Sequence, residues 1–126
     1  MKKKINKILP KNYKIAKMIK KPWGGYAFLE KRPTYWIKKL FINKGEELSL
    51  QSHKERYEIW TVLEGRISAQ KGNNRFVLNK GEFLKIDKEE KHRISGLTKS
   101  CILEVAFGKP KERDIIRYED KYGRVK

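Results

Sequence analysis

The sequence predicts an all-β fold, and two observations carry that prediction. From Tyr26 onward, short runs rich in isoleucine, valine, phenylalanine, tyrosine and tryptophan alternate with turn signals. The turns recur about every ten residues, which is the spacing of a β-sandwich or a small barrel. A chain of 126 residues has room for one such domain with a single core.

Each predicted strand lies between two turn signals such as Asn43-Lys44-Gly45, Glu64-Gly65 and Asn79-Lys80-Gly81. The predicted strands cover residues 26–30, 34–42, 47–53, 57–63, 66–71, 75–78, 82–86, 91–95 and 101–107. Residues 112–118 are predicted to form either one turn of helix or an extended arm.

The first 21 residues differ from the rest of the chain. They hold nine lysines and no acidic residue. Apolar residues recur there at spacings of three and four, which predicts a short amphipathic helical segment broken at Pro10. Pro22-Trp23-Gly24-Gly25 ends it, so the predicted organisation is a basic N-terminal segment over residues 1–21 and a β domain over residues 22–126.

The composition excludes several classes of protein. No apolar run approaches the ~20 residues of a membrane-spanning helix, and no apolar stretch follows the basic start as in a signal peptide. The single cysteine, Cys101, excludes an intrachain disulfide, so we expect a cytoplasmic protein without a membrane partner. The net charge of +17 raises the possibility of nucleic-acid binding. However, 24 lysines against 8 arginines, without a known RNA- or DNA-binding motif, argue against a nucleic-acid partner.

Two histidines, the only ones in the chain, define the candidate site. His53 and His92 each lie at the end of a predicted strand, next to a turn. Gln51 projects from the same strand face as His53, and Glu58 follows after an irregular stretch. Two imidazoles, one carboxylate and one amide oxygen would form an N₂O₂ site for a divalent metal ion.

This spacing resembles the two motifs of the cupin superfamily, which folds as a small antiparallel β-barrel or jelly roll around a metal. Gly45, His53, Glu58 and Gly65 match the first motif, with Gln51 at its leading histidine, and Gly81 and His92 match the second. Asp87 and Glu89 replace the proline and glycine of the second motif, and Gly96 replaces its asparagine.

Three blocks resemble one cupin branch, the type II phosphomannose isomerase domain that usually follows a guanylyltransferase domain. They are Lys21-Pro22-Trp23-Gly24-Gly25-Tyr26, then Leu48-Ser49-Leu50-Gln51-Ser52-His53 with Arg56, Glu58 and Trp60, and Asp114-Ile115-Ile116-Arg117 continuing through Asp120, Tyr122, Gly123 and Arg124. Together they span residues 21–124. A glutamine at the first ligand position is itself typical of that branch.

The resemblance implies an isomerase that interconverts mannose 6-phosphate and fructose 6-phosphate through a cis-enediol. It implies one divalent metal ion on Gln51, His53, Glu58 and His92, with zinc as the first choice and manganese, iron, cobalt or nickel as alternatives. Glu55, Lys85 and Arg117 are the catalytic candidates, and Arg56, Arg93, Arg124 and Lys38 are the candidates for binding the substrate phosphate. The branch has a histidine at position 55, where this chain has glutamate.

Two further functions remain open at this stage. A cupin that binds metal or sugar without catalysis, as a sensor or accessory subunit, fits the replaced second-motif residues and Glu55. A nucleic-acid-binding protein is the remote alternative. Because cupins commonly associate through sheet edges, we also expect a homodimer.

Overall fold

The computed structural model describes residues 17–125 and confirms the all-β prediction. Eleven strands occur there, namely β1 (Ile19–Lys21), β2 (Gly24–Lys31), β3 (Tyr35–Ile42), β4 (Leu50–Ser52), β5 (Arg56–Glu64), β6 (Arg66–Lys71), β7 (Asn74–Asn79), β8 (Phe83–Ile86), β9 (His92–Gly96), β10 (Ser100–Gly108) and β11 (Ile116–Glu119). No helix in this part of the chain is long and apolar enough to cross a membrane.

The strands form two antiparallel sheets packed face to face. One sheet has the order β1-β2-β3-β10-β5-β8, and the other has the order β11-β4-β9-β6-β7. Buried and partly buried positions alternate along β3, β5 and β10, so every second side chain of these strands enters the core. The core includes Trp60, Val62, Ile67, Ile94 and Ile102, each at most 1% exposed.

The predicted N-terminal helix is wrong for the part of it that is described. Residues 1–16 lie outside the described residues, but Ile19–Lys21 forms β1, which pairs with β2. A glycine permits this close pairing, because a Cβ on Gly25 would lie 2.7 Å from the carbonyl oxygen of Ile19. Pairing with β2 therefore overrides the helical spacing of the apolar residues. Of the predicted segment 112–118, residues 112–113 form a turn and residues 116–118 lie in β11, so the extended alternative holds for its second half.

One turn near the predicted site has a strained backbone. Glu89 has a φ of 64°, in the left-handed region that favours glycine. Its N–H donates to the carbonyl of His53 at 2.7 Å, which ties this turn to the first histidine segment. The cupin motif that the sequence resembles has glycine at this position. Glycine adopts such a φ without strain, which explains why the motif has it there.

We expect Glu89→Gly to raise the free energy of unfolding by about 0.5–1 kcal/mol. Relief of about 1–2 kcal/mol of strain exceeds the entropic cost of a new glycine. Lys88→Gly is the matched control, because Lys88 has no positive φ, and it should lower the same quantity. Urea denaturation of both variants measures the difference, and an equal loss in the two would contradict the strain.

Candidate metal centre and cavity

The inward positions of the central strands change from apolar to polar toward one end of the barrel. On β10 the inward series is Ile102, Glu104 and Ala106, and on β5 it runs from Val62 through Trp60 to Glu58. The strand register places Glu104 opposite Trp60 and Ala106 opposite Glu58. The same alternation that fills the core thus leads charged side chains into a cavity at this end.

Three of the four predicted metal ligands converge in that cavity. His53 Nε2 lies 3.5 Å from Glu58 Oε2, and His92 Nε2 lies 3.8 Å from Glu58 Oε1. The donor atoms of all three residues lie within 4.8 Å of one another. Two ligands about 2.1 Å from a tetrahedral zinc ion are separated by roughly 3.4 Å, so these separations suit a divalent cation.

Gln51, the fourth predicted ligand, lies beside the other three. It is on β4, where it pairs with His92 of β9 on one side and with Arg117 of β11 on the other. Its side chain is buried and lines the same cavity. The structure therefore brings all four residues together, and their role as ligands stays a prediction.

Hydrogen bonds to main-chain carbonyls fix the tautomers of both histidines. Nδ1–H of His53 donates to the carbonyl of Asp114 at 2.6 Å, and Nδ1–H of His92 donates to the carbonyl of Glu90 at 2.8 Å. Both Nε2 atoms are left as acceptors, as metal ligation requires. His92 Nε2 is buried without any hydrogen-bond partner among the described residues. A buried nitrogen lone pair without a partner is the observation that best fits a metal ion here.

The charges of the ligands also suit a cation. Burial lowers the pKa of His53 to about 4 and lowers the pKa of His92, so both imidazoles are neutral at pH 7. Burial opposes ionisation of Glu58, but the positive charges that His53, His92 and Arg56 carry in acid outweigh it and lower the pKa of Glu58 to about 2. Two neutral imidazoles and one carboxylate are the protonation states that bind a divalent metal.

Arg56 does not point a free guanidinium into the cavity. Its Nε donates to Glu58 Oε2 at 2.8 Å, its Nη2 lies 3.1 Å from His53 Nε2, and its Nη1 donates to the carbonyl of Lys111 at 2.7 Å. The guanidinium carbon also lies 4.6 Å from the centre of the Trp36 ring. Arg56 thus competes for the His53 nitrogen that a metal would use.

The other phosphate and catalytic candidates have different surroundings. Arg117 lines the cavity, and no acceptor among residues 17–125 bonds its guanidinium, whose Nε is buried. Arg124 also lines the cavity but is held by a two-point ion pair to Asp120. Lys38 is buried in the cavity wall, where its ammonium bonds Glu112 at 2.8 Å.

Three candidates are not brought to the cavity. Glu55 lies in the exposed turn before β5, where its carboxylate is 3.8 Å from the ammonium of Lys111. Lys85 is exposed on β8, 3.6 Å from the carboxylate of Asp87. Arg93 donates to the carbonyls of Leu48 and Glu119, so it holds the C-terminal arm against the barrel.

Glu104 is a cavity residue that the sequence reasoning missed. It is 6% exposed, and its Oε2 accepts a hydrogen bond from Trp36 Nε1 at 2.9 Å. Burial and the nearby Glu58 carboxylate raise the pKa of Glu104 to about 7. The sequence carries one signal for this residue. Glu104 alternates with Ile102 and Ala106, so the strand pattern places its carboxylate on the inward face of a buried strand.

Comparison with known proteins identifies the family to which the chain is similar. The family described as mannose-6-phosphate isomerase C-terminal matches residues 10–120. The xanthan biosynthesis protein XanB of Xanthomonas campestris is 32% identical over 108 residues, which cover 83% of this chain and 23% of XanB. The mannose-1-phosphate guanylyltransferase ManC of Salmonella typhimurium is also 32% identical, covering 83% of this chain and 22% of ManC. The chain spans about a quarter of the length of these relatives.

The fold is shared with solved cupins. An RmlC-like cupin from Shewanella frigidimarina superimposes with a TM-score of 0.70 at 16% identity, covering 82% of this chain and 96% of that one. At this identity the likeness shows the fold alone. It confirms the cupin-like barrel that the two sequence motifs predicted.

We expect the purified protein to bind Zn²⁺ and His92→Ala to weaken that binding by about 100-fold or more, since loss of an outer-shell partner alone costs about 10–100-fold. Arg56→Gln should instead bind Zn²⁺ more tightly, because it removes a cation and the donor that engages His53 Nε2. Competition with a chromophoric chelator measures both affinities. Unchanged affinity in His92→Ala would exclude this metal centre, and weaker binding in Arg56→Gln would exclude the competition.

The raised pKa of Glu104 predicts a pH-dependent effect on stability. Its folded pKa of about 7 exceeds the ordinary glutamate value of 4.5, so its stabilising contribution is present below pH 4.5 and is lost as the pH rises through 7. In metal-free protein, Glu104→Gln should therefore be more stable than the parent at pH 8, by at most about 3 kcal/mol, and should differ little at pH 4.5.

Glu64→Gln is the matched control for this measurement, because Glu64 is an exposed acid of β5. Its effect on the free energy of unfolding should be the same at both pH values. Urea denaturation at pH 4.5 and pH 8 gives the comparison. A Glu104→Gln difference that does not change with pH would show that the carboxylate is not destabilised by burial.

Proposed function

Because the chain belongs to the family of mannose-6-phosphate isomerase C-terminal domains, we propose that it is a metal-dependent isomerase. It interconverts mannose 6-phosphate and fructose 6-phosphate by moving a proton between C2 and C1 through a cis-enediol. The observation that carries the proposal is the convergence of His53, Glu58 and His92 in one cavity, with the nitrogen of His92 left without a partner.

The residues that would hold the metal are His53, Glu58 and His92, with Gln51 as the fourth. A bound divalent metal supplies a Lewis acid that polarises the carbonyl and hydroxyl oxygens at C1 and C2. The protein's part is to keep both imidazoles neutral and oriented through the carbonyls of Asp114 and Glu90. Zinc is the first choice for two nitrogen and two oxygen ligands, ahead of manganese, iron, cobalt and nickel.

Charge in the cavity supports an anionic substrate. Among the described residues, five cationic side chains and three carboxylates line it. The cations are Lys21, Lys38, Arg56, Arg117 and Arg124. Arg56 and Lys38 are bonded to Glu58 and Glu112, while Arg117 has no bonded acceptor among the described residues. We assign the substrate phosphate to Arg117, because a guanidinium fork binds phosphate oxygens in pairs.

A metal- or sugar-binding cupin without catalysis is the second candidate. It is favoured by the outward position of Glu55 and by the bond between Arg56 and His53 Nε2. Such a protein would bind Zn²⁺ and sugar phosphate without moving the C2 proton. The chain matches only part of its relatives, so their guanylyltransferase activity is not assigned to it. The homodimer and the cytoplasmic location stay predictions.

We expect metal-loaded protein to convert mannose 6-phosphate to fructose 6-phosphate in a coupled assay. His53→Ala should abolish turnover, and Arg117→Ala should raise KM with a smaller effect on kcat, because it removes binding to a part of the substrate remote from the reacting carbons. Arg66→Ala, an exposed arginine that does not line the cavity, is the matched control. Absence of turnover above His53→Ala with every divalent metal tried would reject the isomerase and favour the binding protein.

A further inference from the structure

We propose that Glu104 is the catalytic residue that carries the proton between C2 and C1 of the substrate. This inference rests on the proposed isomerase function. It concerns a residue that neither the cupin motifs nor the phosphomannose isomerase blocks include. It follows from the position of Glu104, the engagement of the other acids and the environment of its carboxylate.

Strand geometry directs Glu104 into the cavity. Residues of β10 alternate between buried and partly buried, and Glu104 falls on the buried series. Across the sheet it lies between Lys38 of β3 and Trp60 of β5. Its carboxylate therefore belongs to the same cavity as His53, Glu58 and His92. A substrate held by the metal ligands would be within the cavity that Glu104 lines.

The other carboxylates of the cavity are already engaged. Glu58 accepts bonds from Arg56 and Trp60 and belongs to the metal-ligand group. Glu112 is paired with the Lys38 ammonium at 2.8 Å, and its side chain is 47% exposed. Glu104 accepts one hydrogen bond from the described side chains, on Oε2 from Trp36. Its Oε1 is left to take a proton.

The environment of Glu104 suits a group that must both take and return a proton. Burial of the carboxylate, which is 6% exposed, raises its pKa and makes it a stronger base than an exposed carboxylate. The Trp36 N–H holds the carboxylate in one orientation without neutralising it. The exposed candidates, Glu55 and Lys85, have neither the burial nor the access to the cavity.

The proposed step is balanced within the substrate and Glu104. The ionised carboxylate removes the proton from C2, the C2–H electron pair forms the C1=C2 bond, and the carbonyl pair moves to O1. The proton of the O2 hydroxyl passes to O1. The O2 pair then forms the C2=O bond while the C1=C2 pair takes the proton back from Glu104 at C1. C1 is reduced and C2 is oxidised, and the carboxylate is regenerated without an external oxidant.

The test compares Glu104→Gln and Glu104→Asp with the parent protein, all loaded with the same metal. Glutamine keeps an oxygen for the Trp36 hydrogen bond but cannot exchange a proton. We expect Glu104→Gln to lower kcat by about 100- to 10,000-fold, with KM and Zn²⁺ affinity changed by less than about threefold. Glu104→Asp should recover part of kcat, which a purely structural role would not produce. Glu64→Gln should leave kcat unchanged.

The outcomes separate this inference from the isomerase proposal. Turnover in the parent with more than a tenth of kcat remaining in Glu104→Gln would overturn the role of Glu104 and leave the isomerase standing. Loss of Zn²⁺ from Glu104→Gln, or a raised KM with unchanged kcat, would also overturn it, since the residue would then hold the site or bind substrate. No turnover in the parent itself would overturn both.

Discussion

The buried ion pair between Arg56 and Glu58 is the interaction on which the rest of the site depends. One guanidinium bonds the carboxylate of Glu58, the ring nitrogen of His53 and the main-chain carbonyl of Lys111. Each of these groups is costly to bury alone, and the breaking of such a pair typically destabilises a protein by about 3–5 kcal/mol. Arg56 therefore keeps Glu58 ionised in the metal-free barrel, and a metal ion at this site would take over that role and would displace Arg56 from His53.

The segment between β10 and β11 is anchored by hydrogen bonds to Arg56 and to the histidine segment beside it. Its main-chain carbonyls at Lys111 and Asp114 accept bonds from Arg56 and His53, and the Asp114 carboxylate accepts the N–H groups of Lys54 and Glu55. This anchoring lets the chain reach β11, which pairs with β4 and places Arg117 next to Gln51. The C-terminal motif thus contributes structure through its aspartate and a cavity cation through its arginine.

Alternation along strands and two motif spacings predicted most of the fold and the convergence of four residues. The same patterns did not give the positions of Glu55, Lys85 and Glu104, for physical reasons. Glu55 follows His53 by two residues, which on one continuous strand would place both side chains on the same face. The chain turns after His53 instead, and β5 begins at Arg56, which restarts the alternation. Lys85 shares the outward face with Ile59, its partner on β5. Glu104 was missed because alternation identifies the buried face of β10 but not which end of that face meets the cavity.

Two of the described arginines that line the cavity, Arg56 and Arg117, show why the proposed substrate is an anion. Arg56 has acceptors within the protein for Nε, Nη1 and Nη2, so its guanidinium is not available to a ligand. Arg117 has none among the residues described, although its Nε is buried. A partly buried guanidinium without acceptors costs stability, and a phosphate would recover it. Lys38, Arg56 and Arg124 are paired with Glu112, Glu58 and Asp120, so among the cavity arginines it is Arg117 whose positive charge is available to a ligand.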